Sequence, residues 1–215
     1  MLLQALVFQY SASAAGDFMS TADHATRVRV EAPPAAGARY TATAQALHWI
    51  TALLMFAVLP LAWVMLNMPK EAESRGLLFT LHKSIGLTIF ALVAFRLLWR
   101  ARHPAPPLAE GLPPWIARSA VTSHWLLYLI LVGMPISGYL LTAAGGYPIS
   151  FFGLFNVPGL PKNEALDRAA TWAHVAVGQW AVYALILLHV GATAWHAAVR
   201  RDGVLNRMLP PQAER

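Results

Sequence analysis

No cysteine occurs in these 215 residues. Its absence excludes disulfides, thiolate-held iron–sulfur clusters and the C-x-x-C-H attachment of a c-type haem. Charge is scarce too, at 12% of residues against 57% hydrophobic. With a mean hydropathy of +0.49, the chain groups with polytopic membrane proteins rather than soluble domains. The net charge of +6 does not point to nucleic acid, because the basic residues flank apolar runs. That distribution is a topology signal. Carboxylates are also missing from the apolar runs. All ten Asp and Glu, at 17, 23, 31, 71, 73, 110, 164, 167, 202 and 214, fall outside the expected spans. A non-haem, proton-coupled transporter usually needs intramembrane carboxylates. A pump is therefore disfavoured.

Residues 169–199 carry no Asp, Glu, Lys or Arg over 31 positions. A helix needs only ~20 residues to cross a ~30 Å hydrocarbon core. Inside this run stand His174, His189 and His196. Ionisable side chains are costly in a membrane helix and mark function by default. Fifteen residues separate His174 from His189. On a regular helix they lie within ~60° of one another, ~22 Å apart in depth. Each needs a partner at its own level.

Three more apolar runs, at about 45–66, 77–99 and 120–143, complete a set of four expected spans. Lys83 and Arg96 lie near the two ends of the second, thirteen residues apart. That spacing is ~20 Å of helix, so both can snorkel to opposite interfaces. Residues 1–39 differ in composition and read as a flexible tail. A cleaved signal peptide finds little support there, and Met19 is a second candidate start. The connection 145–168 is apolar for a loop, with Phe151, Phe152, Leu154 and Phe155. Part of it is expected in the membrane interface. Arg and Lys cluster before span one, between spans two and three, and after span four. The positive-inside rule then predicts cytoplasmic termini, with loops 67–78 and 144–169 outside. The expectation is an all-α, multi-pass transmembrane four-helix bundle over residues 40–210.

With that topology, His48 and His189 share the cytoplasmic level, and His82 and His174 share the external one. Facing imidazoles suit the two axial positions of a b-type haem. A single histidine on an apolar helix is more often a structural hydrogen-bonder, but two depth-matched pairs are not easily explained that way. Zinc would want three or four ligands at one level, where two are obvious. Gly86 and Gly178 follow His82 and His174 at i+4, on the same helix face. They leave room for a flat macrocycle, or serve close helix packing. His124 and His196, both at the cytoplasmic level, can bond a haem propionate or a quinone head group, or be interfacial residues without chemistry. Arg96, Arg100 and Lys83 can neutralise propionates or simply snorkel. His24 and His103 are expected to be solvated. Trp63, Trp99, Trp115, Trp172 and Trp195 read as interfacial belt residues, and Trp180 as packing the bundle or a haem edge.

Several stretches together resemble the bacterial cytochrome b561 family of small dihaem membrane proteins. They are Ala46-Leu47-His48-Trp49, Leu81-His82-Lys83-Ser84-Ile85-Gly86, Arg96-Leu97-Leu98-Trp99-Arg100 and Pro135-Ile136-Ser137-Gly138. Phe151-Phe152-Gly153-Leu154 and the ending Arg201-Asp202-Gly203-Val204-Leu205-Asn206-Arg207-Met208-Leu209-Pro210 belong with them. The resemblance covers about residues 39–210. It implies that His48, His82, His174 and His189 ligate the iron of two b haems in a bacterial inner membrane. It also implies superoxide oxidation with ubiquinone as acceptor. In that family the two histidines of the last helix are commonly fourteen apart. Here they are fifteen apart, so a bulge or rotation must absorb the extra residue.

The expected function is thus one-electron transfer from an external donor, preferentially superoxide, to a cytoplasmic-side quinone. Lys83 and Arg75 are placed to attract such an anion. The rival reading is a haem b subunit that docks with a partner dehydrogenase or hydrogenase. A non-haem transporter or structural membrane protein is the rival from a different class.

Overall fold

The computed structural model describes residues 38–108 and 111–211. The expected tail, with Met19 and His24, lies outside the described residues except for its last two positions. Four helices long and apolar enough to span a membrane dominate: α1 (Ala42–Asn67), α2 (Arg75–Arg102), α3 (Pro114–Ala144) and α4 (Glu164–Arg200).

Their ends follow from local chemistry. Thr41 caps α1, its hydroxyl accepting the Ala44 N–H at 3.3 Å. Pro114 starts α3 at a position where a missing N–H costs nothing. Asn163 caps α4 by accepting the Leu166 N–H at 3.0 Å, and Glu164 and Asp167 in the first turn complement the helix dipole. These two carboxylates therefore lie within the fourth helix, which starts earlier than its apolar run suggests. The loop expected at 100–118 also shrinks, because α2 continues to Arg102 and α3 begins at Pro114.

The fourth helix is composite. Glu164–Thr171 and Gln179–Trp195 are α-helical, while Trp172–Gly178 and His196–Arg200 are π-helical. A π-turn holds one extra residue without breaking the helix. The first π-segment sits where the fifteen-residue histidine spacing requires accommodation. With that residue absorbed, His174 and His189 relate as residues fourteen apart, within ~40° instead of ~60°.

The expectation of a purely α chain needs one correction. Between α3 and α4 a hairpin forms from β1 (Ile149–Phe151) and β2 (Phe155–Val157), with Phe151 opposite Phe155. Its turn places Phe152 at φ 49° and Gly153 at φ 76°, the paired positive angles of a type I′ turn. The hairpin is fastened to α2. Fully buried Ser84 accepts the Phe152 N–H at 2.8 Å, and Lys83 Nζ donates to the Pro148 carbonyl at 2.8 Å. This end of the bundle is the hairpin end.

At the opposite end, called the terminal end, the first and last described segments of the chain meet. Gln45 Nε2 lies within 3.1–3.2 Å of the Tyr40, Arg207 and Leu209 carbonyls. Trp49 Nε1 donates to the Met208 carbonyl at 2.7 Å, and Arg207 reaches the Pro107 carbonyl. Residues 201–210 thus form a strap over the start of α1. The bundle core is Val58, Ile89 and Val93, packed with Leu54, Leu97, Tyr128 and Leu131. α2 packs against α1 and α3, and α4 packs along α3. α4 makes hardly any close backbone approach to α1 or α2.

Candidate functional site

Histidine pairs bridge those two loosely approached faces. His48 on α1 and His189 on α4 have ring centroids 6.1 Å apart at 67°. His82 on α2 and His174 on α4 are 6.2 Å apart at 89°. The first pair lies at the terminal end and the second at the hairpin end.

His174 is held against α3. With the proton on Nδ1, it donates to the Met134 carbonyl at 2.9 Å, and Ser137 Oγ lies 3.1 Å from the same nitrogen. A ligand histidine usually donates its second ring N–H to such an oxygen, leaving Nε2 for the metal. His82 contrasts with it. Its Nδ1 is buried without a hydrogen-bond partner, although the Val58 carbonyl approaches the ring.

His124 stands 5.4 Å from His189, ring centre to ring centre, so it belongs to the terminal-end cluster. Its Nδ1 donates within the helix to the Ala120 carbonyl at 2.5 Å. Arg96 donates to the Tyr128 hydroxyl at 3.1 Å and lies within electrostatic range of His48, His124 and His189. Arg100 lies over the Tyr128 ring, 5.9 Å from its centre. His196 has a partner that sequence reading did not identify. Its Nδ1 donates to Asp202 Oδ2 at 2.6 Å, and Arg200 Nε donates to the same oxygen at 3.1 Å. Burial alone would push the Asp202 carboxyl up. Hydrogen bonds from His196, the Val204 N–H and Arg200 outweigh it and hold the group below its ordinary value.

Other expectations divide. A side chain at Gly86 would meet nothing within 4 Å, as room for a planar group requires. At Gly178 it would run into Met134 Sδ, so that glycine serves the contact of α4 with α3. Trp180 does not pack the bundle. It is 68% exposed and meets Tyr183 edge-on. His103 is not simply solvated, since it stacks on Trp99 with centroids 4.0 Å apart. The roles of Ser84, Gln45 and Met134 were missed. Of the three, only Ser84 lies in a stretch that carries the family resemblance, Leu81-His82-Lys83-Ser84-Ile85-Gly86, while Met134 immediately precedes Pro135-Ile136-Ser137-Gly138.

The geometry can be tested against a haem. Two metal–nitrogen bonds of ~2 Å plus ~1 Å from nitrogen to ring centre on each side give ~6 Å between opposed imidazole centres. The observed 6.1 and 6.2 Å match. Together with the open face at Gly86 and the fixed Nδ1–H of His174, the residues fit bis-histidine ligation.

The sequence profile described as prokaryotic cytochrome b561 matches residues 39–211. Cytochrome b561 homolog 2 of Escherichia coli K12 is 31% identical over 171 residues, which cover 80% of this chain and 91% of the relative. Cytochrome b561 homolog 1 of the same organism is 31% identical over 180 residues, covering 80% and 97%. A Yersinia pestis protein named "Probable superoxide oxidase CybB" is 28% identical over 174 residues, covering 80% and 96%. The chain therefore belongs to the prokaryotic cytochrome b561 family of membrane electron-transfer proteins.

Proposed function

We propose that this protein is a dihaem membrane oxidoreductase that oxidises superoxide at the hairpin end and reduces ubiquinone at the terminal end. The observation that carries the reading is the pair of facing histidine couples, 6.1 and 6.2 Å apart, at opposite ends of one bundle. His48 and His189 would hold one b haem, and His82 and His174 the other. Bound haem supplies one-electron chemistry at each level. The protein fixes ligand orientation and spacing and keeps the sites in a low-dielectric interior. Arginines 39, 100, 102, 200, 201 and 207 gather at the terminal end, which favours the cytoplasmic side of a bacterial inner membrane for that end.

Two superoxide anions lose one electron each to give dioxygen, and one quinone takes both electrons with two protons to give quinol. Lys83 and Arg75 near the hairpin end favour the approach of an anion. At the terminal end, His196 presents a ring whose Nδ1 is fixed by Asp202. An imidazole so placed suits proton delivery to a bound quinone. His124 and Arg96 stand by the His48–His189 pair and suit a propionate or the quinone carbonyl.

The test is an optical redox titration with haem quantified per chain, followed by superoxide-driven reduction of ubiquinone by the purified protein. Two haems per chain are expected, falling to one in His82→Ala or His174→Ala. His196→Leu should slow quinone reduction while sparing both haem spectra. Two low-spin haems retained in either alanine variant would refute the pairing. Two haems without superoxide oxidation would favour a subunit that docks with a partner enzyme.

A further inference from the structure

Resting on the haem-binding reading, we infer that Met134, Ser137 and Gly138 of α3 form a positioning cradle that fixes His174 and sets the reduction potential of the hairpin-end haem.

The cradle has three contacts. The Met134 carbonyl accepts from His174 Nδ1 at 2.9 Å and from Ser137 Oγ at 3.0 Å. Ser137 Oγ in turn lies 3.1 Å from His174 Nδ1. These three polar atoms close a triangle that fixes where the Nδ1 proton points. The third contact is the bare face of Gly138. A Cβ there would stand 3.0 Å from His174 Cε1, 3.3 Å from Nδ1 and 3.7 Å from Nε2. The imidazole edge therefore lies on the glycine, and no other residue leaves it that space. The π-turn Trp172–Gly178 supplies the register, since it carries His174 in its wide turn against α3.

The two ligands of this haem are thus unequal. His174 donates its N–H to an oxygen at 2.9 Å, whereas His82 Nδ1 makes no well-formed hydrogen bond and is only approached by the Val58 carbonyl. Donation of Nδ1–H to an acceptor raises the basicity of the metal-bound nitrogen. A more basic ligand favours ferric over ferrous iron and lowers the potential. Ser137 and Gly138 touch neither iron nor substrate, and they act through His174. The His48–His189 haem, at the other end of the bundle, serves as an internal reference.

The experiment is a potentiometric titration, with electron paramagnetic resonance of the oxidised holoprotein, on wild type, Ser137→Ala, Ser137→Thr and Gly138→Ala. Ser137→Ala should raise the midpoint of the hairpin-end haem alone, and Ser137→Thr should return it towards wild type. Gly138→Ala must displace the ring by a few tenths of an ångström, so the low-spin signal of that haem should shift or disappear while the other persists. Unchanged potential and signal in both alanine variants would overturn the inference, as would equal shifts of both haems. Wild-type protein that binds no haem at the hairpin end would overturn the functional reading as well.

Discussion

Asp202 and His196 show how one residue pair can hold a segment in place. Their 2.6 Å contact ties the end of α4 to the turn at Gly203, whose φ is 72°. Because the Asp202 carboxyl titrates below its ordinary value of 3.8, its bonds stabilise the strap fully above that value. The stabilisation is lost as pH falls through the lowered folded value. Acid should therefore loosen residues 201–210 below the ordinary carboxylate range, with His196 and Arg200 the facing cations. Hydrogen exchange of the strap at decreasing pH checks this. In Asp202→Asn the strap should exchange fast at every pH. A strap equally protected in both proteins at neutral pH would show that the carboxylate does not hold it.

At the scale of the element, the π-turn in α4 separates spacing from register. Deleting Val175 removes the extra residue inside Trp172–Gly178 and converts the turn to α-helix. Both helix ends and the facing of His174 and His189 should survive, with two haems retained. Deleting Ala184, inside the regular segment Gln179–Trp195, rotates His189 by ~100° relative to His174 and the part of α4 packed on α3. That deletion should empty the terminal-end haem site. Haem per chain, read from the reduced spectrum, distinguishes the two. Equal loss in both deletions would mean that the π-turn has no slack. The hairpin illustrates a different element-scale effect. Three residues per strand are too few to stand alone, so Ser84 and Lys83 of α2 define its position.

For the whole molecule, the absence of cysteine makes orientation directly measurable. Leu154, 77% exposed at the hairpin, and Asn206 in the strap lie at opposite ends. A membrane-impermeant maleimide added to intact spheroplasts should label Leu154→Cys and spare Asn206→Cys. Inverted vesicles should give the reverse. The opposite labelling would exchange the donor and acceptor sides of the proposed reaction. The distribution of arginines sets the expectation, since basic segments resist translocation.

How much of this was legible in the chain itself follows from the range of the forces involved. Hydropathy and helical period are local, so the four spans and the two levels of histidine could be read from the residues alone. His48, His82, His174 and His189 could also be matched by depth, because rise per residue is nearly constant along a membrane helix. Contacts between distant segments were not legible. The grip of Ser84 on Phe152, the carbonyls gathered by Gln45, the Asp202 partner of His196 and the cradle under His174 each depend on how helices rotate and pack. Gly86 and Gly178 have the same spacing from their histidines, yet one faces open space and the other Met134. Sequence determined the helices, their order and the depth of each imidazole. Tertiary structure decided which face each helix turns inward, because that choice rests on packing between segments far apart in the chain.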